Sequence, residues 1–333
     1  MARPNEFDIA GVMIGALPRS QMPWPVLVAN DATGHIEQHL SSIPVRAITW
    51  HRRASGTVKP TAWPPLGPFA AAIMRIPKAR AEVEMTLHAV ASVVSPGGLI
   101  WLYGANDEGI KSAAQPMAAL LGEVTTVETR GHCRVISARR PVSISGLKPK
   151  LEVWLQTVEV DIGASVRSFA TYPGLFALGR LDAGTKLLLD QLPKLEPGAR
   201  VLDFGCGMGV IAAAVHMRDA TAQLTLIDND AVALQAAREN VPEAAYATNL
   251  ATVAPASLDA ILSNPPIHEG KVESYAALET LIKSAAKLLK RGGILQIVVQ
   301  RRVGATEMLR AAFGTCTVVA EDGVFQVLRC VRV

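Results

Sequence analysis

The sequence predicts an α/β protein made of two tandem domains, each a mostly parallel, doubly wound sheet. Apolar runs of strand length alternate with helical segments through residues 199–262, which is typical of βαβ units. A length of 333 residues suits two domains better than one. An internal sequence repeat also relates the two halves of the chain, so the same architecture is expected twice.

The repeat consists of two segments, each predicted to form a helix, a turn and a buried strand in that order. Residues 84–103 read EMTLHAVASVVSPGGLIWLY and residues 279–298 read ETLIKSAAKLLKRGGILQIV, and their Glu and Gly-Gly positions coincide without a gap. Upstream, residues 25–34 (PVLVANDATG) align with residues 200–209 (RVLDFGCGMG), again as a strand that enters a turn.

The segment VLDFGCGMG connects a predicted buried strand, residues 199–204, to a predicted helix, residues 210–215. Gly205, Gly207 and Gly209 allow the backbone to turn tightly and to approach a ligand closely. The helix N-terminus beyond them offers unpaired N–H groups to a carboxylate. This segment is therefore expected to hold a small polar ligand.

The spacing of these residues differs from that of a dinucleotide site. The nicotinamide and flavin fingerprint is G-x-G-x-x-G, whereas this chain has D-x-G-x-G-x-G, with its third glycine one residue early. The pattern resembles motif I of the class I S-adenosylmethionine (SAM) methyltransferases, in which the acidic residue and the glycines hold the methionyl part of the cofactor. The resemblance implies SAM as cofactor, bound by Asp203, Gly205, Cys206, Gly207 and Gly209.

Polar residues follow the next two predicted strands. Asp228 lies about twenty residues after the glycine turn, where a doubly wound fold places the carboxylate that binds the ribose hydroxyls. Asn229 is included in the same cofactor site, whereas Asp230 is better explained as the cap of a helix over residues 231–240. The resemblance implies that Asn249, after the third strand, lies near the adenine amino group.

The fourth predicted strand, residues 258–262, ends just before Asn264-Pro265-Pro266. The two prolines fix φ and remove two N–H donors, so the Pro265 carbonyl and the Asn264 side-chain oxygen can point at a substrate. Such an acceptor pair can orient an exocyclic amine in line with a methyl donor. The segment resembles motif IV of the amino-directed methyltransferases, which implies that Asn264, Pro265 and Pro266 are catalytic and that Asn264 also borders the cofactor.

The chain as a whole resembles the bacterial ribosomal RNA guanine-N2 methyltransferases of the small-subunit methyltransferase C type. The resemblance also rests on residues 172–189 (YPGLFALGRLDAGTKLLL), on IPKARAE and YGANDEGIKSA in the first domain, and on the terminal FG to GVFQVLR stretch. It implies two tandem Rossmann-like class I methyltransferase domains, of which only the C-terminal one is active. The implied reaction moves a methyl group from SAM to the N2 amine of a guanine in small-subunit (16S-type) ribosomal RNA, with ribosomal RNA or the small ribosomal subunit as partner.

Three residues are expected on the substrate side. Phe176 lies in a segment that, by resemblance, closes over the cofactor and the target base, where it either stacks on a base or packs the lid. Ile267 stands where the family usually has phenylalanine, and His268 stands where the family also has histidine. The aliphatic Ile267 keeps open the same chemistry on large-subunit RNA, transfer RNA or a protein glutamine amide. A non-catalytic RNA-binding module is the third alternative, which the intact motifs oppose.

The first copy has lost the residues of the cofactor site. Val28, Asn30 and Ala32 occupy the positions of the acidic residue and the first two glycines of the second copy. We therefore expect residues 1–145 to form a degenerate methyltransferase-like domain and residues 150–333 to form the catalytic one.

Positive charge is concentrated in the first domain. Residues 1–150 contain 16 Lys and Arg against 10 Asp and Glu, whereas the rest of the chain contains 17 against 19. Charge alone fits an ordinary solvated surface, but together with a lost cofactor site it favours an RNA-positioning role. The candidates for phosphate contact are Arg46, Arg52, Arg53, Lys59, Arg75, Lys78, Arg80, Arg139 and Arg140, and in the catalytic domain Arg301 and Arg302. A basic linker with two prolines is expected within residues 140–150.

The cysteines and histidines predict no metal site and no disulfide framework. Four cysteines show no C-x-x-C spacing, and the seven histidines form no ligand set with carboxylates. Cys206 is interpreted as a small side chain tolerated in the glycine turn. No signal peptide or membrane-spanning apolar run is recognised, so a cytoplasmic monomer without membrane contact is expected.

Overall fold

The computed structural model describes residues 4–18, 23–42, 46–55, 58–163, 165–175, 181–266, 268–269, 272–273 and 275–333. The chain divides into two compact units, Met1–Leu155 and Gln156–Val333. In these described ranges no helix is long and apolar enough to cross a membrane.

The first unit contains a six-stranded sheet in the order β2-β1-β3-β4-β6-β5. Its elements are α1 (Glu6–Ala16), β1 (Val26–Ala29), α2 (His35–Ser41), β2 (Ala47–Trp50), β3 (Phe69–Arg75), α3 (Arg80–Val93), β4 (Val94–Ala105), α4 (Ile110–Leu121), β5 (Thr125–Arg130) and β6 (Cys133–Arg139). The first four strands of that order are parallel, and β6 and β5 are antiparallel to their neighbours.

The second unit begins with an antiparallel hairpin and continues into a seven-stranded sheet in the order β11-β10-β9-β12-β15-β17-β16. Its elements are β7 (Gln156–Asp161), β8 (Val166–Thr171), α5 (Ala183–Asp190), β9 (Arg200–Phe204), α6 (Val210–Arg218), β10 (Gln223–Ile227), α7 (Ala231–Asn240), β11 (Ala245–Ala247), β12 (Leu258–Ser263), β13 (His268–Glu269), β14 (Val272–Glu273), α8 (Ala276–Leu288), β15 (Leu289–Gln300), α9 (Ala305–Phe313), β16 (Thr317–Glu321) and β17 (Phe325–Val331). Strands β11 to β15 in that order are parallel, and β17 and β16 are antiparallel.

The two sheets confirm the predicted α/β class with two doubly wound, mostly parallel sheets. The first sheet has the order of the second without its outermost strand, since the described residues between β2 and β3 contain no counterpart of α7 or β11. The segment 51–68 contains four prolines, which lack the N–H donors that a sheet strand needs. A loop therefore replaces one βα unit in the first copy.

The backbone preserves the aligned turns. Gly34 and Gly209 both cap the following helix in the left-handed conformation, with φ of 69° and 85°. Asn30 keeps a positive φ of 61° at the position where Gly205 has 70°. The two copies therefore share one turn geometry, although only the second has glycine at its first bend.

In each copy of the internal repeat the Gly-Gly pair lies inside a strand and not in the turn expected from the sequence. Gly97 in β4 and Gly292 in β15 have φ values of 79° and 76°, and both twelve-residue strands shift register at this point. A Cβ on the next residue, Gly98 or Gly293, would meet backbone oxygens at 2.7 Å and 2.9 Å respectively. The irregularity therefore requires glycine in both copies.

The segment expected to be a linker is packed on the first unit. Trp63 donates its ring N–H to the Pro149 carbonyl at 3.0 Å, and Lys148 N–H donates to Nδ1 of His88 at 3.0 Å. The ring of Trp154 lies edge-on to His88 with centroids 5.1 Å apart. These contacts attach residues 148–154 to the first unit, which extends to Leu155.

Candidate active site

The glycine turn lies at the carboxyl edge of the second sheet, between β9 and α6. Gly205, Gly207 and Gly209 all have positive φ values, of 70°, 54° and 85°. A Cβ at Gly209 would come within 3.3 Å of the Leu226 side chain, whereas one at Gly207 would meet no atom within 4 Å among the described residues. Gly207 therefore faces open space, where a ligand can approach the backbone.

Asp203 ends β9 beneath this turn and is buried. Its Oδ2 accepts a hydrogen bond from the backbone N–H of Ala212 at 3.1 Å, while Oδ1 has no partner in the described part of the chain. Burial, reinforced by the nearby Asp228, raises the pKa of Asp203 from 3.8 to about 7. A buried carboxylate oxygen without a donor fits a ligand that supplies an N–H group.

Asp228 connects β10 to the glycine turn. Its Oδ2 accepts from the N–H of Gly207 and its Oδ1 accepts from the N–H of Asp230, both at 2.9 Å. Each carboxylate oxygen has a second lone pair, so the half-buried side chain can still accept from ribose hydroxyls. Asn229 beside it is exposed. Asp230 accepts from the N–H of Val232 at 2.9 Å, which confirms it as the cap of α7.

Cys206 and Asn249 have ordinary local contacts. Burial raises the pKa of the Cys206 thiol well above its usual value, and the carboxylates of Asp228 and Asp203 raise it further, which opposes formation of the reactive thiolate. Asn249 is exposed and accepts from the N–H of Ala251 at 3.0 Å, at the start of a short 3₁₀ turn.

Motif IV follows β12 at the same edge of the sheet. The Ser263 hydroxyl donates to the Phe204 carbonyl at 2.6 Å and so ties the end of β12 to the end of β9. A Cβ at Gly205 would lie 3.3 Å from Cδ of Pro266 and 3.8 Å from the carbonyl oxygen of Asn264. The structure thus brings the glycine turn and the Asn-Pro-Pro segment into contact.

The side-chain amide of Asn264 has a defined orientation. Its Nδ2 donates to Oδ2 of Asp182 and to Oγ1 of Thr185, both at 2.9 Å. Its Oδ1 receives no hydrogen bond from any described residue, and Pro265 beside it is buried while Pro266 is exposed. The amide oxygen is therefore the acceptor that this segment presents.

The matching edge of the first sheet carries different chemistry. His51 follows Trp50, whose carbonyl accepts from Asn30 N–H at 2.8 Å, just as Asp228 follows Ile227. Burial lowers the pKa of His51.

Arg75 stands four residues after Ala71, as Asn264 stands four residues after the matching Ala260. Its guanidinium pairs with Glu108 at 2.8 Å and with Glu6 at 3.0 Å. A buried arginine with two carboxylate partners thus occupies the place of the amide acceptor.

Several basic residues suggested for phosphate contact are structural. Arg52 is only 1% exposed and lies 3.5 Å from the buried Glu82, with which Arg53 makes a bidentate pair at 2.7 Å and 2.9 Å. Arg75 is also buried, and Arg140 donates to the carbonyls of Ala91, Pro141 and Val142. The prediction of phosphate contact is wrong for Arg52 and Arg75, because their guanidinium groups are inside the fold. The exposed members of the set are Arg46, Lys59, Lys78, Arg80, Arg139, Arg301 and Arg302.

Comparison with known proteins identifies relatives along most of the chain. The family described as "Methyltransferase small domain" matches residues 167–329, and "Methyltransferase small domain N-terminal" matches residues 24–157. The ribosomal RNA small subunit methyltransferase C of Stutzerimonas stutzeri (strain A1501) is 32% identical over 274 residues, which are 81% of each chain. That of Hahella chejuensis (strain KCTC 2396) is 35% identical over 264 residues, which are 77% of this chain and 76% of the relative. The chain belongs to the ribosomal RNA small subunit methyltransferase C family.

A solved structure shares the fold of this methyltransferase C family member. The T. thermophilus 16S rRNA N2 G1207 methyltransferase (RsmC), in complex with AdoMet and guanosine, has a TM-score of 0.83 at 19% identity and covers 98% of this chain and 92% of its own. At that identity the match shows the fold alone. It agrees with the two tandem class I methyltransferase domains expected from the sequence.

Of the three residues expected to contact the substrate, the structure of this methyltransferase C family member describes only one. Phe176 and Ile267 lie outside the described residues. His268 is described in its backbone, which pairs with Glu273 in the β13–β14 hairpin, and not in its side chain. Among the described residues, no group of His, Cys, Asp or Glu could hold a metal ion.

Sequence reasoning missed three residues that organise the site. Asp182 caps α5 by accepting from Gly184 N–H at 2.9 Å, and it also accepts from the side-chain amide of Asn264. Thr185, in the same turn, accepts from that amide as well. Asn240 exchanges two hydrogen bonds with the Ala170 backbone, at 2.7 Å and 2.9 Å, and donates to the Met208 carbonyl at 2.8 Å. No local sequence signal marks these long-range pairs.

Proposed function

We propose that the chain is a SAM-dependent methyltransferase that modifies the exocyclic N2 amine of a guanine in small-subunit, 16S-type ribosomal RNA. One observation carries the proposal: in a segment that packs against the glycine turn, the amide nitrogen of Asn264 is held by two acceptors, which leaves the amide oxygen as the acceptor for a substrate. The proposal draws support from relatives named ribosomal RNA small subunit methyltransferase C and from a like-folded 16S rRNA N2 G1207 methyltransferase in complex with AdoMet and guanosine.

The cofactor-side residues fit SAM. Oδ1 of Asp203 is a buried acceptor without a donor in the described residues, and the positive-φ turn through Gly205 and Gly207 leaves room for a ligand. Asp203 and the glycine turn, with Cys206 and Gly209, would hold the methionyl part. Asp228, with Asn229 beside it, would accept from the ribose hydroxyls, and Asn249 would accept from the adenine amine. When bound, SAM supplies an electrophilic methyl group.

The target amine would be held by motif IV. Oδ1 of Asn264 and the carbonyl of Pro265 each accept one N–H of the amine, and Pro266 keeps the segment rigid against Gly205. Two accepted hydrogen bonds direct the nitrogen lone pair out of the plane of the base. They also stabilise the positive charge that develops on the nitrogen as it is alkylated. Catalysis by these residues is alignment and electrostatic stabilisation. The target amine is itself the nucleophile, so the protein need not supply one, and the methylated nitrogen loses a proton to water.

The remaining substrate contacts are assigned by position. Ile267 and His268, directly after motif IV, would border the base, and Phe176, directly before α5, would cover it. The first unit, Met1–Leu155, would act as a degenerate copy that positions RNA through its exposed basic residues, and the second unit, Gln156–Val333, would carry catalysis. We further propose that the protein acts as a monomer in the cytoplasm without a membrane partner.

The test compares the ribosomal RNA of three strains: wild type, a deletion of this gene, and the deletion complemented with Asn264→Ala. Nucleoside mass spectrometry should show that N2-methylguanosine of small-subunit RNA decreases in the deletion and is not restored by the variant. Purified Asn264→Ala should still bind SAM in calorimetry, because its loss removes the target-amine acceptor and not the cofactor cradle. An unchanged N2-methylguanosine content of all RNA in the deletion strain would refute the proposal. A decrease confined to large-subunit RNA or transfer RNA would show that one of these is the substrate instead.

A further inference from the structure

The N-terminus of α5 forms a compact hydrogen-bond network with motif IV. Oδ2 of Asp182 accepts from Oγ1 of Thr185 at 2.5 Å and from Nδ2 of Asn264 at 2.9 Å. Oγ1 of Thr185 accepts from the same Nδ2 at 2.9 Å. The amide nitrogen of Asn264 therefore faces two acceptors, one at the N-cap of α5 and one in its first turn.

The carboxylate of Asp182 is fully engaged in this network. Its Oδ1 accepts from the backbone N–H groups of Gly184 at 2.9 Å and Thr185 at 3.2 Å, in addition to the two bonds at Oδ2. Four donors satisfy its lone pairs. Asp182 has no position left for a substrate proton and acts only through Asn264.

We propose that Asp182 and Thr185 are positioning residues for methyl transfer, which fix the Asn264 amide so that its oxygen and not its NH₂ group faces the target amine. This inference rests on the proposed function and deepens it. An Asn amide can rotate by 180° and present a donor in place of an acceptor, and an NH₂ group there would repel the amine N–H. Two acceptors on the nitrogen side exclude that orientation.

The charge of Asp182 adds a second effect. A carboxylate bonded to the amide nitrogen polarises the amide and increases the negative charge on its oxygen. Since positive charge develops on the target amine during alkylation, a more negative Asn264 oxygen stabilises the transition state more than the ground state. The network therefore orients and strengthens one acceptor.

Helix α5 is held firmly enough to serve as a fixed support. At its C-terminus the Gln191 carbonyl accepts from Nε2 of Gln296 at 2.8 Å and from Arg329 at 3.2 Å. Gln296 is completely buried, and Arg329 also donates to its Oε1 at 2.7 Å. At the other end, a Cβ at Gly184 would approach the Phe325 ring to 3.0 Å. Both ends of the helix are thus anchored to β15 and β17.

The experiment uses Asp182→Asn, Thr185→Val and Thr185→Ser in the full-length protein. Asp182→Asn retains an oxygen that can cap α5 but places an NH₂ group against the NH₂ group of Asn264. Thr185→Val removes the hydroxyl at nearly constant volume, and Thr185→Ser retains it. The matched control is Asp219→Asn, because Asp219 also accepts from the backbone N–H and the hydroxyl of a nearby threonine, Thr221, at 2.9 Å and 2.6 Å, and it follows the C-terminus of α6, away from the glycine turn.

We expect kcat for small-subunit RNA to decrease about 10- to 100-fold in Asp182→Asn and several-fold in Thr185→Val, since small displacements of aligned groups cost that much. SAM affinity by calorimetry and KM for RNA should stay within about twofold of the wild type, as a transition-state effect requires. Thr185→Ser and Asp219→Asn should retain wild-type kcat. In ¹⁵N–¹H spectra the Asn264 side-chain amide, identified by its absence in Asn264→Ala, should be shifted and slow to exchange, and both properties should be lost in Asp182→Asn.

The outcomes separate this inference from the proposed function. If the wild type methylates no RNA, the proposed function fails, whereas the spectrum still shows whether the amide is anchored. Wild-type kcat in both Asp182→Asn and Thr185→Val would overturn the positioning role. A loss of kcat in parallel with SAM affinity and melting temperature would also overturn it, because that pattern indicates a role in folding alone. If Asp182→Asn does not fold, the comparison of Thr185→Val with Thr185→Ser decides.

Discussion

The buried Asp203 predicts that the ligand-free protein becomes less stable as the pH rises toward neutrality. Its carboxyl group is inside the fold, one oxygen has no donor in the described residues, and burial raises its pKa from 3.8 to about 7. The pKa of Asp203 is higher in the folded protein than in the unfolded chain. At a pH between these two pKa values the folded protein therefore holds the proton and the unfolded chain does not. The stabilising contribution of the protonated group is complete below the unfolded pKa and is lost as the pH rises through the folded one.

The magnitude follows from the difference between the two pKa values. A shift from 3.8 to about 7 corresponds to about 4 kcal/mol above pH 8, at about 1.4 kcal/mol per pKa unit. About 3 kcal/mol of this change develops between pH 5 and pH 8. The isosteric variant Asp203→Asn cannot ionise, so it should lack this part of the pH dependence and gain stability relative to the wild type as the pH increases.

The assay is urea unfolding of both proteins at pH 5, 6, 7 and 8, followed by far-UV circular dichroism. The difference between the two proteins cancels the titration of all other groups. All five tryptophans lie in the first unit, at positions 24, 50, 63, 101 and 154. Tryptophan fluorescence therefore supplies an internal control that should not respond to the substitution. Parallel pH profiles for the wild type and Asp203→Asn would refute the reasoning, because they would mean that Asp203 is ionised at no cost.

Three further predictions concern the contacts around and beyond the glycine turn. Asp228→Ala should weaken SAM binding about 100-fold in calorimetry, since two hydrogen bonds to an ionised acceptor are lost; an unchanged affinity would contradict its assignment to the ribose. Asn240→Ala should lower the free energy of unfolding by about 2–4 kcal/mol in urea titrations and speed amide exchange at Ala170, because buried backbone groups lose their partners. A loss below about 1 kcal/mol would show that water replaces the side chain. Glu82→Gln should destabilise the first unit by about 3–5 kcal/mol, seen in its tryptophan fluorescence, because it replaces the buried carboxylate that pairs with Arg52 and Arg53 by a neutral amide; SAM affinity should not change, and a shift in that affinity would speak against separate roles for the units.

Much of the fold could be predicted from the sequence because its signals are local. The apolar runs expected as strands over residues 199–204 and 258–262 form β9 and β12 with similar bounds, since burial on both faces of a parallel sheet demands such runs. Asp230 was recognised as a helix cap, because the acceptor and donor of a cap are two residues apart. The internal repeat could be recognised in the sequence because the glycine bulges of β4 and β15 tolerate no other residue.

The long-range polar contacts could not be predicted in the same way. Asp182 and Asn264 are 82 residues apart, and nothing in either segment indicates that they meet. Arg52 and Arg75 resemble surface cations in a charge count, yet their burial depends on acidic residues elsewhere in the fold, such as Glu82 and Glu108. Residues 140–150 have the composition of a linker, but Trp63 and His88 provide partners that no local pattern reveals.

The sequence by itself determined the family, the fold class and the pair of motifs at the carboxyl edge of the second sheet. These properties follow from short-range patterns, since glycine spacing, proline pairs and apolar runs act over a few residues. The tertiary structure alone decided which side of the Asn264 amide is presented and that the carboxyl group of Asp203 has a pKa near 7. Both depend on groups brought together from distant parts of the chain, because desolvation and hydrogen-bond direction are properties of the packed site and not of any single segment.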